Sequence, residues 1–104
     1  MFATIRRYEG VDKSRTDQIV KQVDEGLKPT LSALPGFYGY YLVDTGNGVM
    51  TSISVFDTSA HADASTDASS AWVREEKLET ALPNAPKITS GELVVSETRE
   101  PVEA

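Results

Sequence analysis

Residues 34–64 read LPGFYGYYLVDTGNGVMTSISVFDTSAHADA, and the order of signals within them decides the fold. Phe37 to Asp44 and Val49 to Phe56 are dense in aromatic and β-branched residues, the side chains that suit a pleated, half-buried surface. Between them Thr45-Gly46-Asn47-Gly48 tolerates the positive φ angles of a hairpin turn. Centring the turn so that Val43 faces Val49 sets Tyr41 against Thr51, Gly39 against Ile53 and Phe37 against Val55. One face is then nearly continuous apolar core. The opposite face carries Tyr38, Tyr40 and Leu42 against Ser54, Ser52 and Met50, a mixed surface too apolar to leave in water. A one-residue slip of register would exchange the two faces.

Downstream, Thr58-Ser59 offers a helix N-cap, and Ala60, Ala64, Ala68, Ala71, Trp72, Leu78 and Leu82 follow at helical spacing. Small residues let such a helix lie close to a sheet, with Trp72 as the large anchor. Pro83-Asn84-Ala85-Pro86 ends it, and Lys87 to Ser96 predicts a last strand through Ile88, Leu93, Val94 and Val95. Upstream, Phe2 to Glu9 suits a short strand. Asp12 to Leu34 spaces Val20, Val23, Leu27, Leu31 and Leu34 by three or four residues, the pattern of a one-sided helix. Gly26 and Pro29 predict a kink or break in it, because Pro29 has no amide for the carbonyl of Glu25. A last turn should end at Pro35-Gly36.

The order βαββαβ folds most simply as an α+β, ferredoxin-like domain: a four-stranded antiparallel sheet with two helices on one face. Residues 1–97 form this single domain and 98–104 a polar C-terminal tail. The sheet's other face is left bare, and two copies can hide their bare faces against each other. A homodimer is expected, its motive the Tyr38, Tyr40, Leu42 and Met50 surface.

Composition narrows the chemistry. The 104 residues include no cysteine, so disulfides, thiolate nucleophiles and Cys-ligated metals are excluded, and His61 is the only imidazole. No metal site is expected. The net charge of −6 and the scattering of ten basic residues disfavour nucleic acid as a partner. No segment approaches the roughly 18 apolar residues of a membrane span, and the expected location is cytoplasmic.

The Leu34-Pro35-Gly36-Phe37 lead into a strand, the Gly-containing hairpin, and the Val55-Phe56-Asp57-Thr58 step into a helix together resemble the antibiotic biosynthesis monooxygenase superfamily of dimeric α+β barrels. The resemblance spans roughly Phe2 to Glu97. It implies oxidation of an aromatic polyketide, anthrone or quinol by molecular oxygen without an added cofactor. Oxygenases of this group often place a Trp at the end of strand three, where this chain has Phe56, and a Tyr in helix two, where it offers Ala62 or a neighbour. Arg74 is the counterpart of an Arg late in helix two. Haem-degrading relatives use an Asn on strand one and a His further along helix two; Arg6 and Arg7 and the early position of His61 do not match them.

Such chemistry needs an apolar cavity, a base, and a donor for the oxyanion. His61 has the one side chain that ordinarily titrates near neutrality, so it is either the base or an exposed first-turn residue. Tyr38 and Tyr40 either bind a substrate hydroxyl or pack a dimer interface. Arg6 and Arg7 point to opposite faces of strand one, so either one of them reaches the barrel side to stabilise an anion or both are solvated. Ser52, Ser54, Phe56, Trp72 and Arg74 complete the candidate substrate-binding set, though the spacing of Trp72 from Ala64, Ala68 and Leu78 favours the core for it. Two other functions fit the same barrel: a non-catalytic binding or stress-response module for a small aromatic or apolar ligand, and a cyclase or isomerase that needs no oxygen.

Overall fold

A computed structural model describes residues 1–97 of the chain; the polar tail expected at 98–104 lies outside the described residues. Strands β1 (Phe2–Tyr8), β2 (Phe37–Gly46), β3 (Val49–Phe56) and β4 (Lys87–Glu92) form one antiparallel sheet in the order β2-β3-β1-β4. Two helical layers cover one face. The first comprises α1 (Thr16–Gln22), a π-helical turn (Val23–Leu27) and α2 (Lys28–Ser32); the second is α3 (Ser59–Glu75). This is the ferredoxin-like arrangement that the order of elements predicts.

The hairpin turns where expected, through Gly46, Asn47 and Gly48 at φ of +85°, +57° and +74°. Its register differs from the expected one. Val43 pairs with Thr51, Tyr41 with Ile53 and Gly39 with Val55, while Tyr40 meets Ser54 and Leu42 meets Ser52. Both Phe37 and Gly39 are ladder partners of consecutive residues Phe56 and Val55, so Tyr38 is the extra residue of a bulge. That shift of two residues keeps the same side chains together, but the helices cover the opposite face from the one expected. Tyr40, Leu42, Met50, Ser52, Ser54 and Phe56 look toward the helices, and β3 alternates strictly, with Met50, Ser52, Ser54 and Phe56 buried. The bare face is made instead by Ile5, Tyr41, Val43, Thr51, Ile53 and Val55; of the bare surface expected from Tyr38, Tyr40, Leu42 and Met50, the last three face the helices and only Tyr38, at the bulge, is exposed.

Helix one does not break at Gly26 and Pro29. A π turn widens it, the Lys28 amide donating to the Val23 carbonyl, and Pro29 falls in the first turn of α2, where a missing amide matters least. The Thr30 hydroxyl donates to the Gly26 carbonyl at 2.8 Å, satisfying an acceptor in the irregular turn. Ile19, Val23, Leu27 and Leu31 face inward, whereas Val20, expected in the core, is 44% exposed. Helix α3 begins as expected: Thr58 accepts from the His61 amide at 3.2 Å. It buries Ala62, Ser65, Ser69 and Trp72 rather than the expected Ala60 and Ala64, which lie exposed. Strand β4 stops at Glu92, short of the expected Ser96; the Leu93 amide still reaches the Met1 carbonyl at 2.8 Å. The core joins Val11, Ile19, Val23, Leu27, Leu31, Met50, Trp72, Leu78 and Ala81.

Candidate functional site

Alternation along β1 sends Thr4, Arg6 and Tyr8 toward the helices and Ile5 and Arg7 to the bare face. Arg6 is only 2% exposed. Burying a cation costs several kcal/mol unless hydrogen bonds and a counter-charge replace its water. Here the replacements are neutral hydroxyls. Arg6 Nη1 donates to Ser54 Oγ at 3.0 Å, and Nη2 donates to Thr66 Oγ1 at 2.7 Å and Ser65 Oγ at 3.4 Å. Ser65 spends its own proton on the Ala62 carbonyl at 2.6 Å, which leaves its lone pairs for the guanidinium. This accounts for the face that α3 buries: a hydroxyl-bearing face solvates Arg6, and an alanine face cannot. The Arg6 Nε atom has no hydrogen-bond partner.

Two tyrosines stand by the guanidinium. Burial pushes the Tyr8 hydroxyl above its ordinary pKa, with the positive charge of Arg6 opposing. Burial, then the neighbouring Tyr8, pushes Tyr40 up to about 12 against the opposing effects of Arg6 and a hydrogen bond with Ser52. Both remain neutral hydroxyls at physiological pH. Desolvation lowers the pKa of Arg6 itself, partly offset by Tyr8 and Tyr40, but a guanidinium stays protonated in proteins.

These groups border a chamber of about 30 Å³ between sheet and helices, walled by Arg6, Tyr8, Ile19, Val23, Leu27, Tyr40, Leu42, Met50, Ser52, Ser69, Trp72, Val73 and Leu82. As it stands it has room for a water or two. A groove of about 390 Å³ between α1 and β2 lies beside it, and Val23, Tyr40, Leu42 and Met50 line both. A second hollow of about 290 Å³, which includes Arg74, lies on the far side of Tyr8, Val73 and Leu82.

The sequence-derived candidates are thereby separated. Arg6, Tyr40, Ser52 and Trp72 come together at the chamber, with Ser54 as a support for Arg6. Phe56 is fully buried beside Phe37, ring centroids 5.7 Å apart at 79°. Arg74 lies in the outer hollow. Tyr38 is 61% exposed at the bulge. His61 sits at the start of α3 with Nδ1 2.6 Å from Asp57 Oδ1, and it is not among the residues that wall the chamber. That hydrogen bond holds the Asp57 carboxyl below its ordinary pKa. Among the described residues no group of three His, Asp or Glu is placed to hold a metal ion. Nor is any helix among them long and apolar enough to cross a membrane.

Tyr8, Ser65, Thr66 and Ser69 escaped the sequence reading. Tyr8 follows Arg6 at strand period, and Ser65 and Ser69 lie four residues apart on one helix face, but hydroxyls at such spacing are ordinarily solvent-facing.

A family model described as antibiotic biosynthesis monooxygenase matches residues 1–82. No curated protein matches the chain. Among solved structures, a protein of unknown function from Nitrosomonas europaea superposes with a TM-score of 0.75 at 18% identity, covering 95% of this chain and 94% of that one. A monooxygenase from Streptomyces coelicolor, solved in complex with nanaomycin D, gives 0.71 at 17% identity over 95% and 92%. A dimeric ferredoxin-like protein from an uncultured marine organism gives 0.69 at 16% identity over 95% and 92%. At these identities the likeness is one of fold.

Proposed function

The chain belongs to the antibiotic biosynthesis monooxygenase family, and we propose that it is a homodimeric, cofactor-independent monooxygenase that oxidises an electron-rich aromatic of polyketide-like or quinol type with molecular oxygen. The observation that carries this is the convergence of Arg6, Tyr8 and Tyr40 on a chamber otherwise walled largely by aliphatic side chains and Trp72. A buried cation favours the anionic form of a neighbouring acid, so Arg6 lowers the pKa of a phenol or enol set beside it. The resulting anion is electron-rich enough to reduce oxygen directly. A carbon–oxygen bond forms, the oxygen–oxygen bond breaks, and R₂CH₂ with O₂ gives R₂C=O and water. Neutral Tyr8 and Tyr40 donate to the oxyanion as charge develops.

No carboxylate or imidazole lines the chamber, so the substrate's proton leaves through the α1–β2 groove, where Asp17, Asp24 and Asp44 meet solvent. A ligand-bound monooxygenase and a dimeric protein among the structural neighbours support a small-molecule pocket and a dimer, for which the bare sheet face is our proposed contact. The same lack of a base favours a second reading, a barrel that binds its ligand and returns it unchanged.

Oxygen uptake with a panel of anthrones, quinols and naphthols tests the proposal. Protein-dependent uptake is expected, falling about a hundredfold when Tyr8 and Tyr40 are both changed to Phe. His61→Ala should leave the rate nearly unchanged, because His61 lies outside the chamber. Quenching of Trp72 by panel members that are recovered intact, with no uptake, would select the binding module.

A further inference from the structure

We infer that Arg6 is an anion receptor, and that the ligand is an aromatic bearing a formal negative charge, a carboxylate or a readily ionised phenol, whose charged end meets the guanidinium while its rings occupy the α1–β2 groove. This deepens the proposed function and rests on the chamber and groove being its ligand site.

Guanidinium offers five N–H donors, and three of its hydrogen bonds here go to uncharged hydroxyls. Nε has no partner although Arg6 is 2% exposed. The chain has 16 acidic residues, yet every ion pair among the described residues involves another cation: Arg7, Lys28, His61 or Lys87. The cation is therefore solvated but not neutralised, and Arg6 lines a chamber that shares Val23, Tyr40, Leu42 and Met50 with a groove large enough for fused rings. A methionine would fill the same space without the desolvation cost. What the arginine adds is affinity for negative charge, and a ligand's anionic group is the one counter-charge that can reach it.

The rest of the molecule works against anions. Its net charge is −6, and the groove carries three carboxylates, Asp17, Asp24 and Asp44, against Lys21 and Lys28. Selectivity for an anion must then come from the floor of the site, and removing Arg6 should invert it.

The test compares 2-naphthoate with its methyl ester, read by quenching of Trp72, the single tryptophan. The carboxylate should bind the wild type about tenfold or more tightly than the ester, the worth of a charge-assisted hydrogen bond. In Arg6→Gln the ester should bind better, and Arg6→Lys should keep part of the original preference. Equal binding of the two probes to wild type, or quenching by neither, overturns the inference, and neither result depends on a variant that folds. The two proposals fail separately. Preference for naphthoate without oxygen uptake retires the oxygenase and keeps the receptor; uptake with neutral quinols and no preference for charge does the reverse.

Discussion

Gly26 packs against the indole of Trp72: a Cβ there would lie 3.0 Å from Nε1 and 3.3 Å from Cζ2. The π turn and α3 approach one another through this contact, which closes one side of the chamber. Alanine in place of a helical glycine ordinarily gains about 1 kcal/mol. Trp72 is buried among core residues and has little room to yield, so crowding should outweigh that gain. Gly26→Ala is expected to lose about 1 kcal/mol in urea unfolding, with a shifted Trp72 emission. A more stable variant would mean that the indole gives way freely.

Arg6 and its helix partner Thr66 should respond in opposite senses to truncation. Thr66→Ala removes the 2.7 Å acceptor and leaves the charge in place, so a loss of about 1.5 kcal/mol is expected. Arg6→Met removes the charge and keeps the bulk, and stability should hold or rise by about 1 kcal/mol. Thermal melts of the two variants side by side check the pair. A large loss from Arg6→Met would make the guanidinium a structural strut.

Alkaline sensitivity follows from Tyr40. Its folded pKa is pushed up to about 12, above the value of roughly 10 for an unfolded chain. Its contribution is therefore intact below pH 10 and lost as the pH rises from there through 12. The linkage is of order 2 kcal/mol. Stability measured across that window should fall less steeply in Tyr40→Phe; an unchanged alkaline limb would mean that Tyr40 ionises freely.

The bare face supplies a test of assembly. Ile5, Tyr41 and Val43 there are 39%, 58% and 43% exposed in the single chain. Sedimentation should find a dimer, and Ile53→Asp, which sets a charge among these side chains, should give a monomer with its secondary structure intact. A dimer that tolerates Ile53→Asp would locate the contact elsewhere.

The order and type of the elements were legible because each has a local cause: alternating β-branched runs, a glycine-rich turn, a capped helix. The faces were not. They depend on which side of the hairpin the helices cover: Tyr40, Leu42, Ser52 and Ser54 share a face in the expected and the observed register alike, and the helices close over that side, which makes Tyr40 a chamber wall. Likewise, alanines mark the buried side of α3 only while its partners are apolar. Arg6 across the gap demanded Ser65 and Thr66 instead, a requirement visible only once β1 and α3 are opposed. Arg6, Tyr40, Ser52 and Trp72 could be nominated from residue type, but their meeting at one cavity is a property of the packing.

The π turn at Val23–Leu27 also bears on how this chain tolerates changes of length. Five residues there occupy a turn that an α-helix closes with four, the Lys28 amide reaching back to Val23. The widened turn absorbs one surplus residue, so removing Asp24 or Glu25 would let it close as an ordinary α turn with the halves on either side near their present phase. A deletion within α1 or α2, which have no surplus residue to give up, would instead swing everything beyond it by about 100° about the helix axis and take Leu31 or Ile19 out of the core. Within one helix, the wide turn is what keeps both halves in phase with the same cavity despite the surplus residue.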